Sequence, residues 1–339
     1  MAIGNEQVLA SVEQRQPLLQ LDRLCKSFGA MRANEDVSIS IYPGEIHAIL
    51  GENGAGKSTL MKMIYGVLAP SSGRIVWQGE EVTVQSPAVA RSLGIGMVFQ
   101  HFSLFETLTV AENISLSVPE SAAALSPRIA EFGQRFGLPV DPLALVHSLS
   151  VGQRQRVELI RCLLQKPRLI IMDEPTSVLP PSGIPPLFET LRTLADEGCA
   201  ILFISHKLDE IRTLCQRATI MRAGKVVGAV DPTRETNETL ARMMIGRELP
   251  HPTRVPAKPG ETPAMEIRNL TSVPTDPFGV VLNDINLTLR PGEILGVAGV
   301  SGNGQKELAS ILSGETTLPR AERERILIDG AACGHMNAG

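Results

Sequence analysis

Residues 37-VSISI-41 alternate apolar and polar positions, as on a half-buried strand, and 43-PG-44 then turns the chain. The next run, 46-IHAIL-50, is nearly all apolar and ends in a glycine-rich loop, the pattern of a parallel strand covered on both faces. Runs of the same kind recur at 169-LIIM-172 and 200-AILFIS-205. Between them, 183-GIPPLFETLRTLADEG-198 places Leu187, Leu191, Leu194 and Ala195 on one helical stripe and stops at Gly198. Apolar strands alternating with amphipathic helices predict an α/β domain around a parallel sheet. The stretch 218-ATIMRAGKVVGAV-230 predicts a hairpin turning at Ala223-Gly224. Residues 247–264, rich in proline and charge and without periodicity, predict a linker.

Beyond that linker the pattern restarts. Residues 36-DVSISIYPGEIHAILGENGAG-56 align without a gap on 284-DINLTLRPGEILGVAGVSGNG-304, pairing Asp36 with Asp284, Glu45 with Glu293 and Gly51 with Gly299. A match across an alternating strand, a turn, a buried strand and a loop marks a tandem repeat of one domain. The expected organisation is a first domain over 1–246, the linker over 247–264, and an incomplete second copy over 265–339.

Composition narrows the partners. The 339 residues suffice for two domains, and 43% hydrophobic with 20% charged residues is ordinary for a globular protein. A net charge of −4 and an aromatic content of 4% argue against a general nucleic-acid binder. The five cysteines form no paired spacing, and three lie among apolar neighbours, which predicts buried thiols in a reducing compartment. The first seventeen residues have no apolar core of a signal peptide, and no apolar run approaches the ~20 residues of a membrane span. These features predict a cytosolic chain.

Three motifs carry chemistry. Residues 51-GENGAGKS-58 fit the phosphate-loop pattern, in which glycines turn successive N–H groups towards phosphates. There Lys57 sets a charge on the β and γ oxygens, and Ser58 can ligate Mg²⁺. In 169-LIIMDEP-175 a buried strand delivers Asp173 and Glu174 at its carboxyl end, where α/β sheets bind ligands. Asp173 suits a Mg²⁺ ion held through water, and Glu174 suits the polarising of an attacking water. The segment 149-LSVGQRQRVELIRCLLQ-165 is a Ser-x-Gly turn opening a helix with Val157, Ile160 and Leu164 on one side. A serine hydroxyl and free N–H groups at that helix start make a second anion site.

Leu149-Ser150-Val151-Gly152-Gln153 followed by LIIMDEP resembles the signature of the ATP-binding cassette (ABC) ATPases. The resemblance implies a P-loop α/β fold with an antiparallel β-subdomain and a helical signature subdomain over about 101–165. It implies ATP and Mg²⁺, with Glu174, His206, Lys57 and Gln100 as catalytic groups and Ser58, Gln100 and Asp173 around the metal. Nucleotide would meet Phe28, Gly51, Asn53, Gly54, Ala55, Gly56, Lys57, Ser58 and Thr59, and, across a closed pair, Ser150, Gly152 and Gln153. Gln100 matches the family's glutamine loop, His206 its switch histidine, and Phe28 the ring placed against adenine. Two positions depart from the family: Val151 replaces a glycine, which removes backbone freedom, and Pro180 stands where an aspartate signals across the dimer.

The overall shape is most similar to the fused double-cassette ATPases of bacterial importers for simple sugars and nucleosides, and 98-VFQHFSLFETLTVAENI-114 points to the nucleoside branch. Implied partners are membrane permease subunits meeting the region 101–147, a periplasmic or lipoprotein solute-binding protein, and a second cassette or a second copy of the chain. Nucleic acid is not among them. The implied location is the cytoplasmic face of the membrane, as a peripheral subunit. A soluble tandem cassette of the ribosome-associated translation-factor type is the alternative, and the short proline-rich linker argues against it. In the second copy, Gln305, Lys306 and Glu307 stand at the positions of Lys57, Ser58 and Thr59. A retained cradle with impaired hydrolysis is expected there, with Glu307 repelling phosphates.

Overall fold

The structure is a computed structural model that describes residues 16–99, 103–246, 260–274, 279–299 and 302–334. It divides into two compact units, Met1–Leu249 and Pro250–Gly339.

In the first unit the strands are β1 (Leu19–Phe28), β2 (Met31–Ile41), β3 (Ile46–Leu50), β4 (Ser72–Trp77), β5 (Glu80–Val82), β6 (Ile95–Val98), β7 (Leu169–Asp173), β8 (Ala200–Ile204), β9 (Arg217–Arg222) and β10 (Lys225–Val230). The helices are α1 (Lys57–Ile64), α2 (Pro87–Ser92), α3 (Val110–Ser115), α4 (Ala122–Arg135), α5 (Val151–Leu163), α6 (Ile184–Asp196), α7 (Leu208–Leu214) and α8 (Asn237–Ile245). Six strands form one sheet in the order β10-β9-β3-β8-β7-β6, parallel except for the β9–β10 hairpin. A second, antiparallel sheet runs β2-β1-β4-β5.

The all-apolar reading of 46–50 has a direct structural cause. Side chains alternate faces along a strand, so Ile46, Ala48 and Leu50 enter one core with α5 and α6. Ile49 enters the other, with α1 and the antiparallel sheet. The single polar residue of β3, His47, is buried and satisfied at both nitrogens: Nδ1 lies 2.7 Å from Glu45 Oε1 and Nε2 lies 2.8 Å from Thr219 Oγ1. The stripe Leu187, Leu191, Leu194 and Ala195 on α6 is buried, and the β9–β10 hairpin turns at Ala223-Gly224 with both φ angles positive. Cysteine burial is less than the sequence suggests. Cys162 and Cys215 are buried while Cys25, Cys199 and Cys333 are partly exposed, and all five are free. Burial pushes the Cys162 and Cys199 thiols up to about 12, which leaves them poor nucleophiles.

In the second unit β11 (Met265–Ser272) pairs with β12 (Leu282–Leu289) and β13 (Ile326–Ile328), β13 pairs with β14 (Ala331–Ala332), and α9 spans Gln305–Leu312. Its small core gathers Ile267, Leu270, Leu282, Leu308, Ile311, Leu318 and Ile326. One expectation fails here. Residues 294–298, aligned with β3, form no strand, and Ile294 is 99% exposed where its counterpart Ile46 is fully buried. β3 is a strand because β8 and β9 bond both its edges, and no counterpart of those strands lies among the described residues of the second unit.

Hydrogen exchange should therefore separate the two copies of this sequence. Amides of Ile46–Leu50 should stay protected in this 339-residue chain while those of Ile294–Gly299, which join no strand among the described residues, exchange faster. Equal protection would contradict the structure.

Candidate functional site

Adjacent strands β3, β8 and β7 release three loops at one end of the sheet. The loop after β3 closes on α1, whose N-cap, Gly56, has φ +97° and no side-chain cap. A methyl group at Gly56 would lie 2.4 Å from the Ala33 carbonyl oxygen and 2.7 Å from Asn34 Nδ2. Asn34 is fully buried and its Nδ2 donates to Gly56 O at 3.2 Å. Beside Ala33 and Asn34, Gly224 of the hairpin donates to Ala55 O at 3.2 Å and accepts from Glu35 N at 2.8 Å. The loop is thus held from several directions. The N–H groups of Gly54, Gly56, Lys57 and Ser58 find no acceptor among the described residues.

Lys57 folds back over this loop, and its Nζ donates to Gly51 O at 2.7 Å and Glu52 O at 2.9 Å. Burial lowers its pKa, opposed by the nearby charges of Glu174 and Asp173. Burial raises the Asp173 carboxyl, Glu174 raises it further, and Lys57 and Lys62 oppose the shift. Two carboxylates and one ammonium are therefore gathered in a partly dry place, with orphan N–H donors beside them. Such an arrangement suits a phosphate chain and a divalent cation arriving together. Ser58 is exposed and Thr59 half-buried at the start of α1.

Glu174 sits in the left-handed region at φ +47° and its N–H donates to Ile204 O of β8 at 2.9 Å. Its Oε1 meets His206 Nδ1 at 3.0 Å, so the strand-end acid and the histidine of the next loop are brought together. Phe28 at the end of β1 is 44% exposed, which excludes a core role, and Lys26 Nζ lies 5.3 Å from its ring centre. Gln100 lies outside the described residues.

The turn at 150–153 builds a capping box: Ser150 Oγ accepts from Gln153 N at 3.3 Å and Gln153 Oε1 accepts from Ser150 N at 2.9 Å. Gln153, expected as a nucleotide contact, spends its side chain on the turn itself. Val151 begins α5 without a positive φ, so the replaced glycine leaves the backbone conformation unstrained. No hydrogen bond or ion pair joins this turn to the 51–58 loop among the described residues.

Several residues the motifs did not single out tie the turn to its surroundings. Arg154 pairs with Glu106 at 2.7 Å and donates to the carbonyls of Leu149 and His147. Buried Gln155 donates to Pro175 O, beside Glu174. Buried Glu158 accepts from Ser103 N at 2.9 Å and pairs with Arg161, which donates to Ser103 O. Their only sequence signal is charge and amide groups on a helix that also carries the apolar stripe, and this does not distinguish them from a solvated face.

In the second unit Gly304 caps α9 at φ +90°, close to the conformation of Gly56. Gln305 folds back over Gly299, so that a methyl group there would lie 2.2 Å from Gln305 Nε2. It thus repeats the course of Lys57 without the charge. Glu307 Oε1 accepts from Val280 N at 3.0 Å, which ties this acid to the segment before β12. A cavity of about 870 Å³ lies elsewhere: Pro43, Arg168 and Gly198 in its lining precede β3, β7 and β8, at the opposite end of the sheet.

Substitution at the loop glycines should grade with space. Gly56→Ala should destabilise the protein by about 3 kcal/mol in urea unfolding, and Gly54→Ala, at φ +83° with nothing within 4 Å, by about 1 kcal/mol. Equal costs would show that the Ala33 and Asn34 contacts do not confine the loop.

Residues 34–177 match the family model described as ABC transporter. Over 352 aligned residues the chain is 40% identical to the glucose import ATP-binding protein TsgD13 of Haloferax volcanii, covering 93% of this chain and 63% of that one. It is 41% identical to the nucleoside import ATP-binding protein NupA of Lactococcus lactis subsp. cremoris, covering 88% and 60%. The chain therefore spans less than two thirds of these relatives' length. Among solved structures, an ATP-binding cassette of an ABC transporter, MJ1267 in its ADP conformation, superposes with a TM-score of 0.60 at 26% identity, covering 68% of this chain and 99% of that one. CbiO1 from Clostridium perfringens, part of the ABC transporter complex cbiONQ, gives 0.59 at 29% identity, covering 68% and 93%. With the phosphate loop, the strand-end carboxylates and the capped Ser150 turn in one unit, the first unit has the P-loop α/β fold of the ATP-binding cassettes, and residues 34–177 match the ABC transporter family.

Proposed function

We propose that the chain is the ATP-hydrolysing part of an importer for nucleosides or simple sugars. The observation that carries this reading is the 3.0 Å contact between Glu174 and His206, on strands beside a phosphate loop whose Gly54, Gly56, Lys57 and Ser58 N–H groups have no acceptor among the described residues. Relatives named for nucleoside, glucose and ribose import support the solute class.

ATP is the substrate in this reading. The N–H groups at Gly54, Gly56, Lys57 and Ser58 would hold its phosphates, and Lys57 would exchange two backbone carbonyls for phosphate oxygens. Phe28 offers an exposed ring for the base. Ser58 and Asp173, joined by Gln100, would hold Mg²⁺, which supplies charge neutralisation on the phosphate oxygens. Among the described residues no three His, Cys, Asp or Glu side chains gather into a metal cage, which fits an ion that takes most ligands from phosphate and water. Glu174 orients and deprotonates the attacking water, and His206 fixes that carboxylate.

The Ser150 turn would face the phosphate loop of a second cassette, in another copy or another domain. Residues 265–339 would belong to a second cassette, in which Gln305 stands where the first carries Lys57. Permease subunits would press on the segment beyond Gln100. Arg154, Glu158 and Arg161 bind that segment to α5, so a push there reaches the Ser150 turn. No helix among the described residues is long and apolar enough to cross a membrane, and a peripheral place on the cytoplasmic face is the proposed location.

Phosphate-release and binding assays test this directly. Glu174→Gln should keep ATP affinity within about threefold and slow turnover by roughly 10²–10³-fold, while Lys57→Ala should lose binding. Turnover per chain should rise with protein concentration if two copies pair. Wild-type rates in Glu174→Gln would end the proposal.

A further inference from the structure

We infer that Glu210, on α7, is a positioning residue that sets the Glu174–His206 pair in register; the inference rests on the ATPase reading above. An acid in the first turn of a helix usually does no more than face the positive end of the helix dipole. Asp209 fits that description, being exposed and bonded to Asn237. Glu210 does not. It is buried, 7% exposed, and points back into the site.

Its Oε2 accepts two hydroxyl hydrogen bonds, from Thr176 Oγ1 at 2.7 Å and from Ser205 Oγ at 3.1 Å. Thr176 lies two residues after Glu174, and Ser205 immediately precedes His206. One carboxylate oxygen therefore joins the two loops that carry the acid and the histidine. Thr176 and Ser205 are 1% and 2% exposed, so solvent has little access to replace either bond. Lys207 closes the arrangement, with Nζ 3.2 Å from Glu210 Oε1 and 3.1 Å from Thr176 O, and with its N–H donating to Ser205 Oγ at 3.1 Å. That ammonium offsets the buried charge, and hydroxyls bonded to an ionised acceptor are held more firmly than to a neutral one.

The need for such a latch follows from the geometry of the pair. Glu174 occupies a strained left-handed conformation at φ +47°, and the His206 side chain is 57% exposed. Neither is confined by packing alone. Glu210 touches neither of them, so it acts through Thr176 and Ser205, and its loss should change turnover without changing how the 51–58 loop binds phosphate.

The test compares ATP turnover and the affinity of a non-hydrolysable ATP analogue in the full chain, for Glu210→Ala, Glu210→Gln and Thr176→Val, each alone and with Glu174→Gln. Glu210→Ala should lower kcat by roughly 10–100-fold and leave analogue affinity within about threefold. Glu210→Gln should fall less, because its amide oxygen still accepts from both hydroxyls. With Glu174→Gln present, Glu210→Ala should lower the residual rate by less than about twofold, since the group it positions is already lost. Thr176→Val, which breaks one bond of the latch, should reproduce the kcat loss and carries the test if Glu210→Ala does not fold. A wild-type kcat in a folded Glu210 or Thr176 variant, alongside an inactive Glu174→Gln, overturns this inference alone. So does a Glu210 effect of the same size with and without Glu174. Equal turnover in the wild type and Glu174→Gln overturns the ATPase reading and this inference with it.

Discussion

Strand β3 must be hydrogen-bonded along both edges and covered on both faces, and the rest of the first unit meets that demand. β8 and β9 supply the edges, α5 and α6 cover one face, and α1 with the antiparallel sheet covers the other. A strand so confined ends at a fixed point, and the phosphate loop inherits that fixity. The acid and histidine loops leave neighbouring strands of the same sheet, so their separation is set by strand spacing before any side chain is chosen. The second unit is the counter-example. It carries a similarly apolar run at 294–299, yet with no parallel neighbours among the described residues that run forms no strand.

Electrostatics in the site pull in two directions. Burial disfavours the charge on Lys57 and on Asp173, while each favours the other's charge. The lysine turns onto its own loop's carbonyls, so its buried ammonium is hydrogen-bonded to Gly51 O and Glu52 O.

The loop, the strand-end carboxylates and the repeat were legible in the sequence because each is a local pattern whose chemistry depends on spacing. The residues that fasten the site were not. Asn34, Arg154, Glu158 and Glu210 each look like an ordinary surface polar group, and only contacts tens of residues away bury Asn34, Glu158 and Glu210 and half-bury Arg154. Glu210 meets Thr176 across 34 positions and Glu158 meets Ser103 across 55. The repeat also misled at one place. The gap-free alignment and the apolar character of the run carried the strand from 46–50 to 294–298, but strand formation belongs to the neighbours as much as to the strand.

The register of β3 has a consequence for how the protein is made. Leu50 pairs with Ile220, about 170 residues further along the chain. At a synthesis rate of ~5–20 residues per second, the partner emerges roughly 10–30 seconds later. The other edge partner, β8, is also late, since Ile46 pairs with Ile201, so the apolar strand that ends in the phosphate loop has both edges unbonded for most of that interval. Only the face that packs on α1 and the antiparallel sheet has its partners already made.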